Sequence, residues 1–145
     1  MLQKQDLWGK RFVRDHFRYT NEIMCAGARV VKAVREKARL HSPLNTKGLF
    51  DSFHIRRGDF QFKKLISSDI NILWEQSKDQ LEDGGTLFIA TDERDKDFFE
   101  MLKSYHNITF LDDYVHLLKD LNPNFFGMVD QLVASQGHVF FGTCK

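Results

Sequence analysis

Apolar and polar positions follow two different periods along this chain, and the switches between them outline its elements. From Asn21 to Leu40 the residues Ile23, Gly27, Val30, Val34 and Ala38 recur every three or four places, as on one face of a helix. Arg29, Lys32, Arg35, Glu36 and Lys37 fall largely outside that stripe, and a solvated helix face accounts for their charge more simply than a partner site. After the His41-Ser42-Pro43 break and Gly48, the segment Leu49 to Ile55 is short and rich in aromatic and β-branched residues. It predicts a strand that ends abruptly in Arg56-Arg57-Gly58-Asp59.

The same alternation continues. Ser67 or Ser68 can cap a helix running to about Leu81, with Ile70, Leu73, Trp74, Ser77 and Leu81 on one side and Gly84-Gly85 stopping it. Thr86 to Thr91 is apolar without alternation, which predicts a strand buried on both faces, and it ends in Asp92-Glu93. A helix from about Lys96 to Tyr105, a strand near Ile108 to Leu111, and a short helix opened by Asp112-Asp113 and running through Leu118 repeat the unit. Asn124 can cap a last helix through Ser135, Gly137 ends it, and Val139-Phe140-Phe141 forms a final strand before Gly142-Thr143. Strands alternating with helices of this length predict an α/β fold, a parallel sheet with right-handed crossovers and helices on both faces. The pattern leaves the strand order open.

Composition narrows the class. At 145 residues, 42% apolar with 14 phenylalanines, the chain has material for one buried core, and with 2 prolines and no linker or repeat it reads as one domain over 1–145. Lys and Arg number 21 against 20 Asp and Glu, so no overall field draws the protein to nucleic acid or an anionic membrane. The longest apolar runs fall far short of the roughly 20 residues that cross a bilayer. Met1 to Asp6 lacks the apolar stretch of a secretory signal. Cys25 and Cys144 fit neither a disulfide scaffold nor a zinc pattern; they read as unpaired small apolar side chains.

In an open parallel sheet, ligands bind beyond the carboxyl ends of the strands, where this sequence concentrates its polar residues. His54, Arg56, Arg57, Gly58 and Asp59 follow one strand, Thr91, Asp92 and Glu93 another, Gly142 and Thr143 the last. Two arginines beside a glycine suit a diphosphate, because guanidinium offers paired planar donors and glycine lets backbone amides come close. The competing reading is a strand-end ion pair, Arg56 or Arg57 with Asp59 or Asp92. Arg57-Gly58-Asp59 also spells an adhesion tripeptide, but after a buried strand instead of at a loop tip. No Gly-x-Ser-x-Gly elbow, Walker loop, His-Glu-x-x-His or Gly-x-Gly-x-x-Gly occurs. Asp92-Glu93 and Asp112-Asp113 suit helix starts as well as a hard cation, so no metal is assigned.

Phe53-His54-Ile55-Arg56-Arg57-Gly58-Asp59-Phe60, then Phe88-Ile89-Ala90-Thr91-Asp92-Glu93, then Asp130 to Ser135 leading into Phe140-Phe141-Gly142-Thr143, resembles the GDP-fucose protein O-fucosyltransferase family, most closely its thrombospondin-repeat branch. The resemblance runs from about Thr20 to Lys145 and implies the Rossmann-like, donor-binding carboxyl-terminal half of a GT-B glycosyltransferase. It implies an inverting transfer of fucose from GDP-fucose to a Ser or Thr hydroxyl of a protein or glycoprotein acceptor, with GDP-fucose as donor substrate and no cofactor. A related α1,6 transfer to N-glycan, or a nucleotide-binding module without turnover, stands as the alternative. By position Arg56 resembles the arginine that contacts the diphosphate and stabilises departing GDP. His54, Gly58, Asp92 and Thr143 correspond to nucleotide contacts, Asp92 receiving the guanine N–H groups. The family's Ser-Thr-Phe-Ser segment and amino-terminal half find no counterpart here, so the expectation is a chain truncated at both ends. The family compartment is the ER or Golgi lumen.

Overall fold

The structure is a computed structural model that describes residues 18–57 and 70–142. Gly58 and Thr143, with Asp59, the Ser67 or Ser68 cap and Cys144, lie outside the described residues.

The first helix, α1, spans Asn21–His41 and buries Ile23, Gly27, Val30, Val34 and Ala38, the stripe read from the sequence, together with Ala26. Cys25 is free and sits on the exposed side, not in the core. Strand β1 is Asp51–Ile55. It starts two residues later than the pattern predicts because Leu49 is held in a turn: the Asn45 side chain accepts its N–H at 2.8 Å and donates to its carbonyl at 2.7 Å. Helix α2 covers Ile70–Ser77 and tightens into a 3₁₀ turn at Lys78–Gln80. Strand β2 is Thr86–Thr91, buried along all but its last residue.

Two segments expected as helices are 3₁₀, Lys96–Ser104 and Leu111–Leu117. Their buried residues explain this: Phe99 with Leu102, and Leu111 with Tyr114, are three apart, and three residues per turn stacks such pairs on one face. The first is capped by Asp95, whose carboxylate accepts the Asp97 N–H, so Asp92-Glu93 does not start a helix. Strand β3 is only Asn107–Thr109. It ends before Phe110 because the Asp113 carboxylate accepts both the Phe110 N–H at 3.1 Å and the Thr109 hydroxyl at 2.5 Å, turning the chain into the next segment. The last helix, α3, is Phe126–Ala134, entered through a 3₁₀ turn at Pro123–Phe125. That turn is capped by Asn122, and Asn124 caps nothing: the Asn122 side chain accepts the Asn124 N–H at 3.0 Å, and Pro123, lacking an N–H, fits the first position of the turn. Strand β4 is Phe140–Gly142.

Among the described residues the four strands are parallel, in the order β3-β2-β1-β4. Side-chain alternation divides the core. Phe50, Phe88 and Ala90 pack with α1, α3 and the 111–117 segment; Phe53, Ile55, Leu87 and Ile89 pack with α2 and the 96–104 segment. The domain is therefore a three-layer, Rossmann-like α/β arrangement.

Candidate functional site

The connections decide where a ligand can enter. Those from β1 to β2 and from β2 to β3 carry α2 and the 96–104 segment on one face, while the route from β3 to β4 carries α3 on the other. Strand order reverses between β1 and β4, with α2 on one face and α3 on the other, and in such sheets the switch point is where a ligand crevice forms. His54 pairs in register with Gly142 at that point and lines an open cavity of about 470 Å³ with Gln131, Ala134, Ser135 and Phe140. Ser52, two residues earlier on the same face, donates its hydroxyl to the Ala134 carbonyl at 2.6 Å and fixes α3 over β1.

The two arginines beyond β1 have different surroundings. The Arg57 backbone N–H donates to Asp92 Oδ1 at 2.6 Å. Its guanidinium pairs with Glu93 at 2.6 Å and lies 3.7 Å above the centre of the Phe98 ring. A strand-end ion pair thus forms at Arg57, with Glu93 as its partner. Arg56 is exposed, and the strand alternation assigns it to the His54 face. Burial lowers the pKa of His54, Arg56 lowers it further and Asp92 opposes both, so these three side chains share one electrostatic neighbourhood and the imidazole is neutral at pH 7.

The sequence-predicted residues His54, Arg56 and Asp92 thus come together at one edge. Gly58 and Thr143 are outside the described residues. Sequence reasoning gave no role to Asp130, which the structure places beside them. Its Oδ2 accepts the N–H of Thr91, the last residue of β2, at 3.0 Å. Its Oδ1 is enclosed and has no hydrogen-bond partner. Burial pushes its pKa up to about 7, opposed by the Thr91 N–H and by Lys96. A second, smaller cavity of about 170 Å³ lies against it, lined by Thr91, Lys96, Phe110, Asp112 and Gly127 among others. One α3 turn, roughly 5.4 Å, separates Asp130 from Ala134 in the first cavity. The available signal was a lone carboxylate in the apolar run Met128-Val129-Asp130-Gln131-Leu132-Val133. Among the described residues no three His, Cys, Asp or Glu side chains converge to hold a metal ion.

A parallel sheet with helices on both faces, and a polar crevice at the switch in strand order, defines a Rossmann-like domain of the kind found in glycosyltransferases. The family model described as GDP-fucose protein O-fucosyltransferase matches residues 4–145. The chain belongs to that family and is by membership a fucosyltransferase. No curated protein and no solved structure matches it.

Proposed function

We propose that this chain holds the GDP-fucose donor at the β1–β4 crevice and passes fucose to a Ser or Thr hydroxyl of a protein acceptor in the ER or Golgi lumen. The observation that supports it is the exposed Arg56 at the strand-order switch, on a backbone whose next N–H is tied to Asp92. Arg57 is paired to Glu93, whereas Arg56 lies on the His54 side of the strand end.

The chemistry follows from charge. As the bond from fucose C1 to the β-phosphate oxygen breaks, the acceptor hydroxyl oxygen bonds to C1 and gives up its proton to solvent, and negative charge grows on the departing GDP. A positioned guanidinium stabilises that growing charge more than it stabilises the bound donor, which is what lowers the barrier. Neutral His54, against the same cavity, offers a ring N–H to a phosphate or ribose oxygen without adding a second charge. Gly58 and Thr143, outside the described residues, are the further nucleotide contacts of this reading. Asp92 serves the site by holding the Arg57 backbone, and Asp130 supplies the free acceptor oxygen that the guanine N–H edge requires.

Titration calorimetry of the full chain with GDP tests this. Arg56→Ala is expected to weaken binding by about 10- to 100-fold, the roughly 1.5–3 kcal/mol of a charged hydrogen bond. Undiminished GDP affinity in that variant removes Arg56 from the site. A parallel GDP-release assay with protein acceptors separates transfer from binding alone: saturable GDP binding with no release identifies a nucleotide-binding module without turnover.

A further inference from the structure

Asp130 is a carboxyl group with half of its hydrogen bonding provided. Oδ2 has the Thr91 N–H, and Oδ1 is shut away from water with nothing to bond to. The charged groups that act on it come from two elements, Lys96 in the segment after β2 and Asp112 in the segment after β3. Lys96 does not neutralise it. Its ammonium pairs with Asp112 at 3.2 Å, donates to the Glu93 carbonyl at 2.8 Å, and lies 4.7 Å from the centre of the Phe110 ring. From α1 the shared core receives Ile23, Ala26, Val30 and Val34, and from the residue just before β1 Phe50, none of them charged. An ionised carboxylate here has lost its water without gaining a full set of partners, which favours the protonated form.

A ligand edge with N–H donors would supply what is missing. We propose that nucleotide binding by this chain is coupled to loss of a proton from Asp130, the ionised carboxylate being the form that accepts the base edge, so that the donor site tightens as pH rises. This rests on the reading that the cavity beside Asp130 takes the nucleobase. In the free protein the carboxyl is about half protonated at pH 7. On binding, the proton leaves to solvent and Oδ1 accepts a base N–H. The same coupling makes the affinity about tenfold weaker at pH 6 than at pH 8, because only the ionised fraction binds.

Three measurements on the full chain test this. Calorimetry with GDP at pH 7 in two buffers of different ionisation enthalpy is expected to show about half a proton released per GDP bound. The ratio of wild-type to Asp130→Asn affinity is expected to rise about tenfold from pH 6 to pH 8; His54 and the terminal phosphate of GDP titrate in both proteins and cancel in that ratio. Guanosine, which has no phosphate, repeats the comparison. Carbon-13 NMR of the Asp130 carboxyl in the nucleotide-free chain is expected to titrate near neutrality. GDP binding with no proton release and a constant affinity ratio overturns the coupling and leaves the donor site standing. A carboxyl that titrates in the ordinary acidic range overturns it whatever binds. Absence of GDP binding at every pH overturns the donor reading and the coupling with it.

Discussion

Arg56 and Arg57 are chemically the same residue, one position apart, and β1 sends them to different surroundings. Arg57 carries the Glu93 ion pair and the Phe98 face, so its guanidinium is part of the scaffold. Arg56 lies on the side of His54 and is exposed. At this scale Asp130 makes a second prediction, about stability. Its pKa rises from the ordinary 3.8 to about 7 in the folded chain. Between those values the folded state binds more protons than the unfolded state, so stability from this group falls as pH rises and is fully lost above about pH 7. Asp130→Asn cannot ionise, so its melting temperature should gain on wild type as pH rises from 4.5 to 8, by the equivalent of a few kcal/mol. An unchanged gap across that range would show that the carboxyl is not held protonated.

Element boundaries followed local hydrogen bonding more than hydrophobic period. The α1 stripe was legible because five apolar positions at helical spacing admit one helix face. The start of β1, the end of β3 and the cap of the turn that leads into α3 were not, because Asn45, Asp113 and Asn122 each capture a backbone N–H that the apolar pattern cannot reveal. Two glycines around α3 make opposite predictions. A Cβ on Gly137 would collide with the Ser52 side chain, whose hydroxyl holds the Ala134 carbonyl. Gly137→Ala should therefore cost about 1–3 kcal/mol in denaturant unfolding. Gly127, inside α3, has nothing within 4 Å of an added Cβ, and Gly127→Ala should stabilise by about 0.5–1 kcal/mol. Equal effects of the two would contradict the packing of α3 on β1.

Across the whole molecule, the sheet is a shared wall between two apolar layers. Phe88 and Phe53 are both fully buried, the first facing α1 and α3, the second facing α2 and the 96–104 segment. Neither layer has a sheet of its own. Phe88→Ala and Phe53→Ala should each cost about 3–5 kcal/mol and leave a single cooperative transition, followed by far-UV circular dichroism and tryptophan fluorescence together. Separate transitions for the two probes would mean that the layers fold independently. The crevice is a property of this same scale, because it exists only where crossovers to opposite faces part between β1 and β4.

Sequence alone determined that helices alternate with parallel strands, that polar residues gather at the strand ends, and which family the words His54-Ile55-Arg56-Arg57-Gly58 and Ala90-Thr91-Asp92-Glu93 resemble. Those properties depend on residues near one another in the chain, where period and spacing carry the information. Tertiary structure decided the order β3-β2-β1-β4, the capture of Arg57 by Glu93 36 residues away, and the enclosure of the Asp130 oxygen between α3 and the end of β2. Each depends on which elements meet across the sheet, and burial and charge at such a meeting are set by partners distant in sequence.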